Sequence, residues 1–209
     1  MQVKQKRIPD ETIRRLPVYL RGIMFLIEGG QLSVSSKELA DYVGVKSSQI
    51  RKDFSYFGDF GVRGVGYDIK KLCIEIKSIL KLDVKQKAAL VGVGNLGSAI
   101  LAYSGFSLYG FELAAAFDND PDKIGQTIGD VKILDISKLE IIKKENIKLG
   151  IIAVPRNDAQ EITDALVKNG VTGILNFSPC YIMVPKKVKV MTIDIAGYLA
   201  RMPYYAPNG

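Results

Sequence analysis

Histidine is absent from all 209 residues. That removes the commonest general base, the commonest metal ligand and any Ser-His-Asp triad, so an enzyme built on this chain has only Lys, Tyr and carboxylates to work with. Cysteine is scarce. Cys73 and Cys180 stand far apart, without the repeated short spacing of a metal site, and are expected to be reduced, with no metal bound. No run approaches the roughly 20 apolar residues of a membrane span, and the opening MQVKQKRIPDETIRRL lacks the apolar core of a signal peptide. A cytoplasmic protein with no membrane contact is expected.

What is present is unevenly charged. Of the formal net charge of +7, most sits early: residues 1–81 hold 15 Lys and Arg against 9 Asp and Glu, whereas 82–209 are close to neutral. A basic front joined to a near-neutral remainder points to a polyanion bound at the front.

From Glu11 to Glu28, Ile13, Leu16, Leu20, Ile23 and Ile27 recur at helical spacing, interrupted by Pro17 and ended by Gly29-Gly30. Ser35 and Glu38 have the spacing of a capping box for a short second helix that Gly44 stops. Ser47 is placed to cap a third, Ser48 to Phe57, with Ile50, Phe54 and Phe57 inward and Ser48, Arg51, Lys52 and Ser55 outward. Two short helices joined by a glycine turn, the second with a basic outer face, fit a helix-turn-helix whose Arg51 and Lys52 reach base edges or phosphates. The glycine-punctuated stretch Gly58–Tyr67 predicts a β-hairpin with Arg63 near its tip, the wing of a winged helix entering the minor groove. A last helix near Lys70–Leu80 closes this part.

The second part opens on a buried strand, Ala88–Val91, followed at once by Gly92-Val93-Gly94-Asn95-Leu96-Gly97 and a helix through Ala99, Ile100 and Tyr103. GxGxxG alone is a weak signal, but between a strand and a helix it is where dinucleotide chemistry needs it. The first glycine makes the turn, the second admits a pyrophosphate and the third lets helix and strand pack. Asp118 ends the next strand, about 20 residues past the glycines, where a carboxylate binds ribose hydroxyls and repels a 2′-phosphate, favouring NAD(H). Further strands at Leu149–Val154 and Gly173–Phe177, with helices from about Ser137 and Asp158, imply a doubly wound parallel sheet. Pro155 and Pro179 follow strand ends, where ligand loops or structural turns lie. Only Thr192 to Asn208 remains after the sheet, room for one short helix at most and no substrate domain. The expected architecture is therefore α/β: a winged helix-turn-helix at 1–82, a Rossmann domain at 83–191, and a C-terminal segment at 192–209.

The segments IRRLPVYLR (13–21), SSQIRKDFSYFGDFGVRGVGY (47–67), VGVGNLGSAI (91–100), AFDNDPDKIG (116–125), AVPRNDAQ (153–160) and GILNFSP (173–179) together resemble the Rex family of redox-sensing transcriptional repressors over nearly the whole chain. The resemblance implies a homodimer with exchanged C-terminal helices, a palindromic double-stranded operator, and NADH and NAD⁺ as ligands. It implies DNA contacts from the recognition helix (Arg51, Lys52, with Ser47 and Ser55 beside them) and from the wing Arg63. The cofactor set is Gly92, Gly94, Asn95, Leu96, Gly97, Asp118, Pro155 and Tyr103, the last beside the nicotinamide. Arg21, Tyr103 and Asp194 then form a switch, and Ile195 departs from the bulky aromatic some relatives carry at its position.

On this reading the protein is no enzyme: NADH binding moves two recognition helices off the roughly 34–36 Å spacing of successive major-groove faces. Two other classes remain open, a small NAD-dependent oxidoreductase using Tyr103 or a lysine as acid, and a coenzyme A- or nucleotide-binding regulatory module.

Overall fold

The computed structural model describes residues 8–58, 60–62 and 66–206. They fall into two compact units that divide between Val84 and Lys85.

In the first unit, helix α1 (Asp10–Glu28) runs unbroken through Pro17. Pro17 lies exposed while Leu16, Leu20 and Ile23 are fully buried, so the missing amide falls on the solvent side and the apolar stripe stays intact. After strand β1 (Ser33–Val34) comes α2 (Ser36–Val43), with both hydrogen bonds of the Ser35–Glu38 capping box formed and Gly44 left-handed at its end. Helix α3 (Ser47–Phe54) follows. Two expectations are corrected here. The N-cap is Lys46 rather than Ser47: extended backbone at Lys46 lets its carbonyl accept from Gln49 and Ile50, and Ser47 is the first helical residue. The helix also ends three residues early, so Phe57 sits half-buried in a turn. Strands β2 (Gly61–Val62) and β3 (Gly66–Asp68) form a hairpin to which β1 adds a third strand, and α4 (Ile69–Ile79) closes the unit. Phe54 organises the centre, meeting Tyr19, Phe60 and Tyr67 edge-on at 5.5, 5.5 and 5.3 Å.

In the second unit, β4 (Gln86–Val91) leads through the glycine loop into α5 (Asn95–Ala102) and α6 (Gly105–Leu108). Then come β5 (Phe111–Asp118), the hairpin β6 (Thr127–Ile128) and β7 (Val131–Asp135), and α7 (Glu140–Lys144). The rest is β8 (Leu149–Ile152), α8 (Ala159–Lys168), β9 (Gly173–Asn176), β10 (Lys189–Thr192), α9 (Ile195–Ala200) and α10 (Met202–Tyr205). The sheet order is β10-β9-β8-β4-β5-β7-β6, parallel except for the β6–β7 pair. Apart from edge strand β6 this is the doubly wound Rossmann order, with apolar clusters on both faces as buried parallel strands require. Strand β8 stops at Ile152, two residues before the sequence pattern suggested. Edge strand β10 was not expected. The C-terminal segment forms two short helices rather than one, broken at Arg201 ahead of Pro203.

Candidate functional site

The order in which strands are added to the sheet reverses between the parallel neighbours β4 and β8, and a ligand crevice belongs outside the carboxyl ends of those strands. A cavity of about 520 Å³ lies there, lined by Gly92, Gly94, Asp118, Lys123 and Pro155 among others. Each glycine has a separate reason. Gly92 is left-handed (φ 94°), and a Cβ on it would lie 2.5 Å from the Ala153 carbonyl oxygen. A Cβ on Gly97 would run into the Gly92 oxygen. Gly94 is different: a Cβ there would meet no atom within 4 Å, so the fold leaves that edge open. Gly94 is also the N-cap of α5 and supplies no side-chain acceptor. The first-turn amides of α5, with Asn95 and Leu96 exposed beside them, are thus presented to an anion such as a pyrophosphate.

Asp118 is 6% exposed. Its Oδ2 accepts from the Val93 amide at 2.6 Å and its Oδ1 from the Asp120 amide at 2.9 Å. Lys123, which the sequence analysis did not single out, places Nζ 3.6 Å from Asp118 and 3.2 Å from Asp120. The hydrogen bond with Asp120 and the neighbouring carboxylates raise the lysine's pKa. The DPDK turn was a visible signal, because a lysine five residues after a strand-end acid returns toward it.

Asn176 at the end of β9 and Ser178 just beyond it are buried and knit two loops. Ser178 Oγ donates to the Val154 carbonyl at 2.7 Å, and Asn176 Nδ2 donates to the Cys180 carbonyl at 3.0 Å. A second cavity of about 710 Å³ is lined by Arg156, Pro179, Cys180, Tyr181 and Asp194 among others. Asp194 caps α9, accepting from the Gly197 amide at 2.8 Å. Tyr103 ends α5, exposed, with Phe106 edge-on at 5.3 Å. Arg21 is exposed on α1 of the other unit.

Ser48, Arg51 and Lys52 of α3 and Ser55 at its C-cap are exposed together, with Ser47 half-buried at the start. Arg51 Nη1 donates to Ser36 Oγ at 2.9 Å. Arg63 lies outside the described residues. Sequence reasoning missed Asp53, which is fully buried on the opposite face of α3 and accepts from Thr12, Arg15, Tyr19 and Gln49. Burial alone would push its pKa up, but those four partners outweigh burial and hold it at about 2. The residue was findable, since Asp53 falls three after Ile50 on the inward face.

Among the described residues no cluster of His, Cys, Asp and Glu is placed to hold a metal, and no helix is long and apolar enough to cross a membrane. Burial raises the pKa of the Cys73 thiol.

A family model described as a CoA binding domain matches residues 83–180, and one described as the N-terminus of a putative DNA-binding protein matches residues 7–55. The redox-sensing transcriptional repressor Rex of Chloroflexus aurantiacus is 48% identical over 198 residues, covering 94% of this chain and 93% of its own. That of Carboxydothermus hydrogenoformans is 47% identical over 194 residues, covering 92% and 93%. RSP in complex with β-NAD⁺ and operator DNA superposes with a TM-score of 0.88 at 36% identity, covering 95% of this chain and 92% of that one. RSP in complex with β-NADH gives 0.85 at 34%, covering 96% and 94%.

Proposed function

The chain belongs to the Rex family of redox-sensing transcriptional repressors, and from that premise we infer that it represses by binding operator DNA and is released when NADH occupies its Rossmann unit. The observation that carries this reading is the crevice at the head of β4, where the open edge of Gly94, the uncapped start of α5 and the Asp118 carboxylate converge. That cradle suits a dinucleotide: amides for the pyrophosphate, a carboxylate for the ribose hydroxyls. When bound, the nicotinamide carries the redox signal as a difference in charge and shape.

The residues of the chain are read in these roles. Gly92, Gly94, Asn95, Leu96, Gly97, Asp118 and Pro155 hold the dinucleotide, with Tyr103 at the nicotinamide end. Arg51 and Lys52, flanked by Ser47 and Ser55, meet DNA, with Arg63 from the wing. Arg21 and Asp194 pair in one state and part in the other. The working form is a homodimer with exchanged C-terminal helices. In support, Ile195, Tyr198 and Leu199 of α9 are each more than 60% exposed, an apolar face that seeks a partner. The chain regulates without catalysing: its relatives are regulators, and it carries no histidine for acid–base work. It acts in the cytoplasm, where its DNA is.

The test is a gel shift with a palindromic duplex selected by the protein from a randomised pool, run across NADH/NAD⁺ ratios. Release driven by NADH and not by NAD⁺ or coenzyme A is expected. Failure to bind any duplex at any ratio, or steady-state turnover of NADH with aldehydes or ketones, would overturn it.

A further inference from the structure

The recognition helix is joined to α1 by one carboxylate. Asp53 Oδ1 accepts from Thr12 Oγ1 at 3.0 Å, Arg15 Nη2 at 2.9 Å and Gln49 Nε2 at 2.8 Å, while Oδ2 accepts from Arg15 Nε and from the Tyr19 hydroxyl, each at 2.6 Å. Three of the four partner residues lie on α1, one helical turn apart, and Asp53 has no solvent exposure. All five groups donate, and only an ionised carboxylate accepts that many bonds; an amide would turn two N–H donors toward donors. An ion pair of this kind, with the carboxylate fully buried and Arg15 part-buried, is a weak route to stability compared with apolar packing, and the best-attested use of buried pairs is to fix register. Here the register concerns function. Asp53 immediately follows Arg51 and Lys52, and Tyr19 lies two residues before Arg21 on the same helix.

We propose that Asp53 is a positioning residue for DNA reading: by locking α3 to α1 it sets the direction in which Arg51 and Lys52 are presented, and it passes any displacement of α1 to them. This rests on the reading of α3 as the DNA-contacting helix. A helix held in place before binding loses little freedom when it docks, whereas a loosened one must be ordered at the expense of affinity. The carboxylate faces inward and touches no phosphate, so its loss changes affinity without changing the number of phosphates neutralised.

The experiment compares the wild-type chain with Tyr19→Phe, Asp53→Asn and Arg51→Ala on the duplex selected by the wild type, at several salt concentrations. Melting curves and circular dichroism establish which variants are folded. Tyr19→Phe keeps the ring against Phe54 and removes one bond of five, so it remains informative if Asp53→Asn does not fold. Tyr19→Phe is expected to lose roughly threefold in operator affinity and folded Asp53→Asn about tenfold or more. The slope of log affinity against log salt should stay at the wild-type value, while Arg51→Ala lowers it by about one. NADH affinity without DNA should be unchanged in both Asp53-network variants, and the ratio of operator affinities without and with NADH should shrink. A folded Tyr19→Phe with wild-type affinity and wild-type NADH response overturns the proposal alone. A wild-type chain that binds no duplex overturns the functional reading and this proposal with it.

Discussion

The Val93 amide donates to Asp118 Oδ2 at 2.6 Å, tying the glycine loop after β4 to the end of β5. One carboxylate thus shapes the phosphate loop and faces the crevice where ribose is expected. With Asp120 and Lys123 also engaged, much of its accepting capacity is already in use.

Replacing Asp118 with Asn separates these roles. The Asn oxygen can still accept from Val93, but its amide then faces the Asp120 N–H, so the melting temperature should fall modestly, by the cost of one unsatisfied donor of about 1–3 kcal/mol. The charge is lost, and hydrogen bonds to a charged acceptor are the stronger kind. NADH affinity should fall about tenfold or more. Lys123 then keeps Asp120 but loses one of its two carboxylate neighbours, leaving more positive charge beside the ribose, so NADPH affinity should rise relative to NADH. Fluorescence titrations with both nucleotides check this, and unchanged NADH/NADPH discrimination would remove Asp118 from the ribose role.

The glycines make a sharper pair. Gly94 has ordinary backbone angles and open space where a Cβ would stand. Gly94→Ala should leave thermal stability within about 0.5 kcal/mol of the wild type and lower NADH affinity at least about tenfold, because the methyl enters the path of the pyrophosphate. Gly92→Ala meets both a left-handed backbone and the Ala153 oxygen, so the fold itself should lose roughly 1–3 kcal/mol. Calorimetry with NADH titration distinguishes them; a tight-binding Gly94→Ala would place the pyrophosphate elsewhere.

These contrasts mark what the sequence could show. The Ser35–Glu38 box, the glycine loop and Asp118 were legible because each is a local signal, with spacing set by one turn of helix or one strand-to-helix bend. The Asp53 cluster was not: the inward position of Asp53 could be read from its spacing to Ile50, but its α1 partners lie 34 to 41 residues away and carry no local signal. The cap of α3 was misplaced for a related reason: Ser47 has the right chemistry, but the extended backbone at Lys46 sets the helix start. Strand β10 escaped notice because Lys189–Thr192 is a short edge whose residues are mostly exposed, giving no apolar period to read. Its register was set by pairing with β9, a contact between distant parts of the chain.

Asp53 also gives the first unit an acid limit. Its folded pKa of about 2 lies below the ordinary 3.8. A depressed carboxylate stabilises the fold above its unfolded pKa and loses that contribution as pH falls through the folded one. The window is therefore about pH 4 down to 2, and the contribution at neutral pH is on the order of 2 kcal/mol. Denaturant melts between pH 2 and 7 should show stability falling in that window for the wild type. Asp53→Asn should start lower at pH 7 and lack that part of the slope; an identical slope would assign the acid transition to other carboxylates.

Asp194 needs the most careful substitution, because it does two things. It caps α9 through the Gly197 amide, and its charge is what the proposed pairing with Arg21 requires. Asp194→Ala removes both, and losing a cap alone costs about 1 kcal/mol of helix stability, so a defect in that variant says little about the switch. Asn caps as well as Asp but carries no charge. Asp194→Asn should therefore keep α9 and hold NADH affinity within about threefold of the wild type, while NADH-driven release from operator weakens by about 5-fold or more, the lower end of a typical coupling energy. Exchanging the charges, Arg21→Asp with Asp194→Arg, should recover part of the response that either change alone abolishes, since a direct pair is non-additive in a double-mutant cycle. Operator titrations with and without saturating NADH measure every term. If Asp194→Asn is released like the wild type, the charge plays no part in the switch, and the role of Asp194 reduces to capping a helix.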